Sequence, residues 1–121
     1  MDLVRILKAL GDETRLRMMN LLRQEMLCVC EVEALLESSQ SNASRHLAKL
    51  RDADLIRSEK KAQWVYYGIN EQLLTECLFI KVLLDEDLAQ HPEYAKDIEK
   101  LREVRSTLHC GILSLERDAE T

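Results

Sequence analysis

Apolar residues recur at helical spacing along most of this chain, and the stretch that breaks the rhythm begins after Asp54. Leu3, Ile6, Leu7 and Leu10 follow i, i+3, i+4, i+7, which predicts a first helix. Gly11 ends it, and Asp12 can cap a second helix with Leu16, Met19 and Leu22 on one face. A third short helix is expected from about Cys30 to Glu37, with Val32, Leu35 and Leu36 apolar. The cluster Ser38-Ser39-Gln40-Ser41-Asn42 reads as a turn and a helix start, with Ser39 as N-cap. Ala43, Leu47 and Leu50 then form the buried stripe of a fourth helix. After Asp54 the pattern changes. Leu55–Ser58 and Trp64–Tyr67 are short, β-branched and aromatic, and the polar run Glu59–Gln63 separates them, which predicts a β-hairpin. Asn70 can cap the next helix, whose Leu73, Leu74, Cys77, Leu78, Ile80 and Leu84 make an apolar face wide enough to meet another helix or another subunit. His91-Pro92 interrupts, and a last helix is expected from about Glu93 to Arg117, with Ile98, Leu101, Leu108, Ile112 and Leu115 apolar.

Four helices, a hairpin and two longer helices, in that order, describe a winged helix-turn-helix. The expected class is mainly α with a small β-hairpin and long terminal dimerisation helices. One Pro and three Gly in 121 residues leave too few turns for a sandwich or barrel. No apolar run is long enough to cross a membrane. Met1-Asp2-Leu3-Val4-Arg5 lacks the apolar stretch of a signal peptide, so a cytoplasmic location is expected. Thiols are reduced there, and the 4 cysteines point to metal or redox chemistry before disulfides. Residues 1–87 are read as the DNA-binding and dimerisation core, and 88–121 as a helical extension.

A net charge of −5, taken alone, argues against a nucleic-acid partner. Its distribution argues otherwise. Residues 38–70 carry Arg45, Lys49, Arg51, Arg57, Lys60 and Lys61 against Asp52, Asp54 and Glu59, a net +3 between acidic flanks. With Ala43, Leu47 and Leu50 buried, Gln40, Ser41, Ser44 and Arg45 share the opposite side of the fourth helix. Hydroxyls, an amide and a guanidinium at a helix start are the groups that read base edges in the major groove. Lys60 and Lys61 sit near the hairpin tip, where a wing touches phosphate. A capped surface helix and a solvated lysine turn are the plainer alternatives. Trp64, Tyr66 and Tyr67 read as hairpin framework, and His46 as a hydrogen-bonded helix residue before a ligand.

Three segments carry a family resemblance. Ser39-Gln40-Ser41-x-x-Ser44-Arg45-His46-Leu47-x-x-Leu50-Arg51 resembles the recognition helix of the ArsR/SmtB family of metal-responsive repressors. Leu10-Gly11-Asp12-Glu13-Thr14-Arg15-Leu16-Arg17 resembles that family's second-helix entry, and Gln63-Trp64-Val65-Tyr66-Tyr67 its wing. The resemblance spans residues 3 to about 87. It implies a homodimeric repressor that leaves operator DNA when an inducer binds, and no enzyme. Glu13 departs from the family's usual Pro, and Asp54 and Ala62 from its usual Gly. Asp54 can still close a helix, since Asp tolerates the left-handed region better than most residues, whereas Ala62 predicts a wing turn of altered geometry.

Cys28-Val29-Cys30 is the most chemical feature of the sequence. Two thiolates this close favour a soft metal or metalloid over Mg or Ca. On a regular helix, residues i and i+2 point about 200° apart. Both sulfurs therefore reach one ligand only from a non-helical start or by unwinding the first turn. The segment Leu27–Glu31 resembles the thiolate motif of the family's arsenic and cadmium/lead sensors. In that pattern a third cysteine follows Cys30 by three residues, and here Glu33 stands there. Cys110 is favoured as the third sulfur and Cys77 is the second choice, because Cys77 lies on an apolar face. His109 reads as a surface residue before a further ligand. The family's zinc site on the dimer helices looks absent, since Leu73 and Leu84 stand where histidines would be sought. The N-terminal cysteines of cadmium/lead sensors have no counterpart in this sequence. Arsenite or antimonite is thus the expected inducer, with cadmium, lead or thiol-redox and persulfide sensing as alternatives. A thiol oxidoreductase would want C-x-x-C beside a βαβ pattern, and neither occurs. A pure dimerisation module is the remaining rival.

Overall fold

The computed structural model describes residues 2–105. Helix α1 runs Leu3–Leu10, capped by Asp2, whose carboxylate accepts from the Arg5 N–H at 3.1 Å. Helix α2 runs Glu13–Gln24, and Asp12 caps it as expected by accepting from the Arg15 N–H at 3.0 Å. A two-residue strand β1, Leu27–Cys28, leads directly into α3, Val29–Leu36. Helix α4 is Gln40–Asp52, with the Ser39 hydroxyl accepting from the Asn42 N–H at 3.2 Å. Its stripe of Ala43, Leu47 and Leu50 is fully buried in a core shared with Met18, Met19, Leu21 and Val32. Asp54 stands in the left-handed region at φ 60, and the N–H groups of Leu55 and Asp54 turn back to the carbonyls of Leu50 and Arg51. This is the Schellman closure usually given to glycine.

The β part is larger than the sequence suggested. Strands β2, Ile56–Lys61, and β3, Trp64–Ile69, pair antiparallel, and the turn shrinks to Ala62 and Gln63. Ala62 takes φ 56, the left-handed conformation usually given to glycine, so the turn keeps a glycine-like backbone and the altered geometry expected from Ala62 is not what the structure shows. Strand β1 adds to the other edge of β3, giving the order β1-β3-β2, with Leu27 opposite Tyr67 and Cys28 opposite Tyr66. Two residues carry no alternation, so this strand left no mark in the sequence. The fold is a winged helix-turn-helix.

The helix expected from Asn70 onward is broken. Helix α5, Glu71–Glu76, stops at Cys77, whose backbone (φ −128, ψ 85) is not helical, and α6, Leu78–Val82, resumes beyond it. A π turn, Leu83–Asp87, and a 3₁₀ turn, Leu88–Gln90, follow. Ile80, Leu84 and Leu88 are all buried. They recur every four residues, a wider spacing than the 3.6 of an α-helix, and the π turn absorbs the excess. Asn70 occupies the cap position of α5, yet its side chain donates to the Asp54 carbonyl at 2.8 Å instead of capping.

Helix α7, Pro92–Val104, lies against α2 and α3. Arg17 grips Asp97 through two hydrogen bonds of 2.8 and 2.9 Å, and Asn20 donates to the Tyr94 carbonyl at 3.0 Å. Lys100 caps the end of α3 by donating to the Leu35 carbonyl at 3.1 Å. Leu108, His109, Cys110, Ile112 and Leu115 lie outside the described residues.

Candidate functional site

The Ser39 cap fixes where α4 begins, and the burial of Ala43, Leu47 and Leu50 fixes which side faces outward. Ser41, Ser44 and Arg45 are exposed on that side, and Gln40, which shares the buried stripe's side seven residues before Leu47, is exposed because it is the first residue of the helix. Arg45 donates to the Asn42 side chain, which holds it along the helix. The first turn also offers unpaired backbone N–H groups, which attract phosphate. Lys60 and Lys61 are exposed too, but they occupy the last rungs of β2, opposite Val65 and Trp64, and not the turn itself. Arg57, lower on the same strand, bonds Gln72 at 3.2 Å.

The cysteine pair sits at the opposite end of the helix that precedes α4. Cys28 is the N-cap of α3, and Cys30 is its second residue. The cap is reciprocal: the Cys28 sulfur accepts from the Glu31 backbone N–H, and the Glu31 carboxylate accepts from the Cys28 N–H at 2.9 Å. Cys28 and Glu31 are buried, whereas Cys30 is exposed. The non-helical start required for shared ligation is therefore present, but the two side chains face different surroundings. Burial, reinforced by the nearby Glu31 carboxyl, pushes the Cys28 thiol up to about 12. The strand pairing sets Cys28 opposite Tyr66, whose hydroxyl is also shifted upward, by burial first and then by Cys28 and Glu31. Cys77 is a free thiol in the hydrophobic core. Among the described residues, no three His, Cys, Asp or Glu side chains gather as a metal site. Cys28 is a free thiol, but Cys30 is disulfide-bonded in this structure, so the pair offers two soft donors to a metalloid only after reduction, and a third sulfur has to come from neither of them.

A third surface is apolar. Leu3, Val4 and Leu7 of α1 and Leu78 and Phe79 of α6 are exposed, at 40–69% of their area. Leu7, Leu78 and Phe79 border a groove of about 650 Å³ that Leu10, Leu16 and Leu83 also line. Leu74, which the sequence placed on the same face as Leu78, is buried in the chain's own core.

Sequence reasoning missed two features. One is the pairing of β1 with the wing strand. The other is a buried polar cluster in which Arg15 and His46, 31 residues apart, meet at 3.0 Å. No local spacing announces either.

A profile of the family described as "Bacterial regulatory protein, arsR family" matches residues 12–58. The arsenic resistance transcriptional regulator ArsR1 of Pseudomonas putida is 46% identical over 69 residues, covering 56% of this chain and 54% of that protein. The arsenical resistance operon repressor of Bacillus subtilis is 42% identical over 82 residues, covering 61% of this chain and 78% of that one. Among solved structures, the homodimeric winged helix-turn-helix DNA-binding domain of Mb0332 from Mycobacterium bovis superposes with a TM-score of 0.60 at 26% identity. That match covers 74% of this chain and 84% of the other. The chain spans a little over half the length of the Pseudomonas relative.

Proposed function

Because this chain belongs to the arsR family of bacterial regulatory proteins, we propose that it represses transcription by holding operator DNA as a homodimer, and that it lets go when arsenite or antimonite engages its cysteines. The observation that carries the reading is the adjacency of two devices. A capped helix presents Gln40, Ser41, Ser44 and Arg45 to solvent, and the helix just before it begins at Cys28 and Cys30. Ser41, Ser44 and Arg45 read bases with Gln40 in support, while Lys60 and Lys61 meet phosphate from the wing. The apolar surface of α1 and α6 is the homodimer contact; Leu3, Val4, Leu7, Leu78 and Phe79 are too many exposed apolar side chains for a face left to water.

Cys28, Cys30 and Cys110 would hold the inducer, with Cys77 the weaker choice for the third sulfur. A bound trivalent metalloid supplies strong bonds to soft sulfur donors. Cys28 cannot cap α3 and serve as a ligand in its present setting. Drawing its sulfur out removes the cap from α3 and loosens the Cys28–Tyr66 rung. The disturbance reaches DNA along two paths: through α3 into Ser39 and α4, and through β3 into the wing. A coupling of about 1–3 kcal/mol between the two sites lowers operator affinity by about 5–150-fold.

The test has two parts. The reduced protein selects duplexes from a randomised double-stranded DNA pool, with and without arsenite. An enriched sequence that disappears on adding arsenite is expected; no enrichment contradicts the repressor reading. X-ray absorption at the arsenic edge then counts sulfurs. Three As–S contacts falling to two in Cys110→Ser are expected, and three in both proteins would remove Cys110 from the site. Release by cadmium, lead or a persulfide donor but not by arsenite would transfer the role to those alternatives.

A further inference from the structure

Arg15 is a buried cation, 9% exposed, at the first turn of α2. Its guanidinium joins three helices. Nε donates to the Ala9 carbonyl at 2.6 Å and Nη2 to the Lys8 carbonyl at 3.4 Å, at the C-terminal end of α1. Nη1 lies 3.0 Å from Nδ1 of His46, which is 8% exposed on α4. Arginine has no acceptor, so His46 Nδ1 must accept, and the ring is neutral with its proton on Nε2. The next group within reach of Nδ1 is the Asp12 carboxylate, at 3.9 Å. His46 stands next to Arg45 and two residues after Ser44, on the helix that presents both.

We propose that Arg15 and neutral His46 are positioning residues for DNA reading: together they clasp α4 to the corner between α1 and α2, and protonation of His46 opens the clasp. The inference rests on operator binding as proposed above. A protonated ring cannot accept from Arg15, and two cations then face each other across 3.0 Å. The new Nδ1–H turns to Asp12 instead, and α4 shifts with it. The charged groups facing His46 are Asp12 and Arg15 from the start of α2 and Arg45 and Lys49 from α4 itself. Helix α1 contributes the two carbonyls, through Arg15. Burial is the main reason the neutral ring is favoured, and the three cations add to it against the opposing Asp12 carboxylate. Helix α1 also carries Leu3, Val4 and Leu7, so the clasp ties the reading helix to the surface proposed to pair subunits.

The test measures affinity for the duplex enriched by the wild-type protein, from about pH 7.5 down to about pH 5.5, a range that spans ordinary histidine titration. His46→Asn keeps an acceptor at the Nδ1 position and does not titrate. Wild-type affinity is expected to fall on acidification, by less than about tenfold at pH 5.5 because His46 is lowered from its ordinary value, and His46→Asn to keep its pH 7.5 affinity throughout. His46→Leu, which strips Arg15 Nη1 of its acceptor, is expected to bind about tenfold more weakly at both pH values. Amide hydrogen exchange over α4 provides a readout without DNA: faster exchange at low pH in the wild type, absent in His46→Asn, supports the clasp. Undiminished acid sensitivity in His46→Asn, or wild-type affinity in His46→Leu, overturns it. A pool that yields no enriched duplex would overturn the repressor reading, and the exchange data would then decide the clasp alone.

Discussion

Cys28 has two competing uses, and the competition is legible in its chemistry. As N-cap it is buried and protonated, its thiol raised to about 12 by burial. As a ligand it must surrender the cap. Serine caps helices well, so Cys28→Ser should fold at least as stably as the wild type by thermal unfolding while losing its response to arsenite. His46 gives a second residue-level expectation. Burial holds its folded-state value below the ordinary 6.5. A depressed histidine adds stability that is present above the unfolded value and lost as pH falls through the folded one. The melting temperature should therefore drop as pH falls below about 6.5, and His46→Asn should lessen the drop. The exposure of Ser41, Ser44 and Arg45 was readable, because burying Ala43, Leu47 and Leu50 leaves them nowhere else to point, whereas Gln40 shares the stripe's side and is exposed only by its place at the helix start. The Arg15–His46 contact was not, because nothing local in a sequence pairs positions 31 residues apart.

Helix starts were legible wherever a short polar side chain precedes an apolar period: Asp12 and Ser39 both make the cap bonds their residue types allow. Asn70 shows the limit of that rule, since a tertiary partner, the Asp54 carbonyl, claims its side chain. The break at Cys77 was hidden because the apolar spacing runs on through it, with no Pro or Gly to mark it. The wing turn offers a test at this scale. Ala62 holds a left-handed conformation that costs an L-residue about 1–2 kcal/mol, partly offset in glycine by a freer unfolded chain. Ala62→Gly should raise stability by about 0.5–1 kcal/mol in denaturant unfolding. Lys60 and Lys61 test the wing's electrostatics. Replacing both with Ala should weaken binding of every duplex alike and lower the salt slope by about 0.9 for each phosphate that is no longer neutralised.

Across the whole molecule, the net charge of −5 conceals a division of labour. The segment of residues 38–70 carries +3, so the proposed dimer would bring +6 to DNA, while the acidic excess lies in residues 71–121. Helix α7 belongs to the same packed body as the reading helix, lashed to α2 and α3 by Asp97, Tyr94 and Lys100. Asp97→Ala would leave the Arg17 guanidinium without its carboxylate. A drop of about 1.5–3 kcal/mol in unfolding free energy is expected. The proposed dimer surface has its own check: Leu78→Asp, on a side chain 69% exposed, should leave the monomer folded but shift sedimentation toward one chain and weaken duplex binding with it. The central claim is that ligand capture at Cys28 is what frees the DNA. Fluorescence anisotropy of the selected duplex during arsenite titration tests it directly. The account predicts release from the wild type and none from a Cys28→Ser protein that still binds the duplex; equal release from both would contradict it.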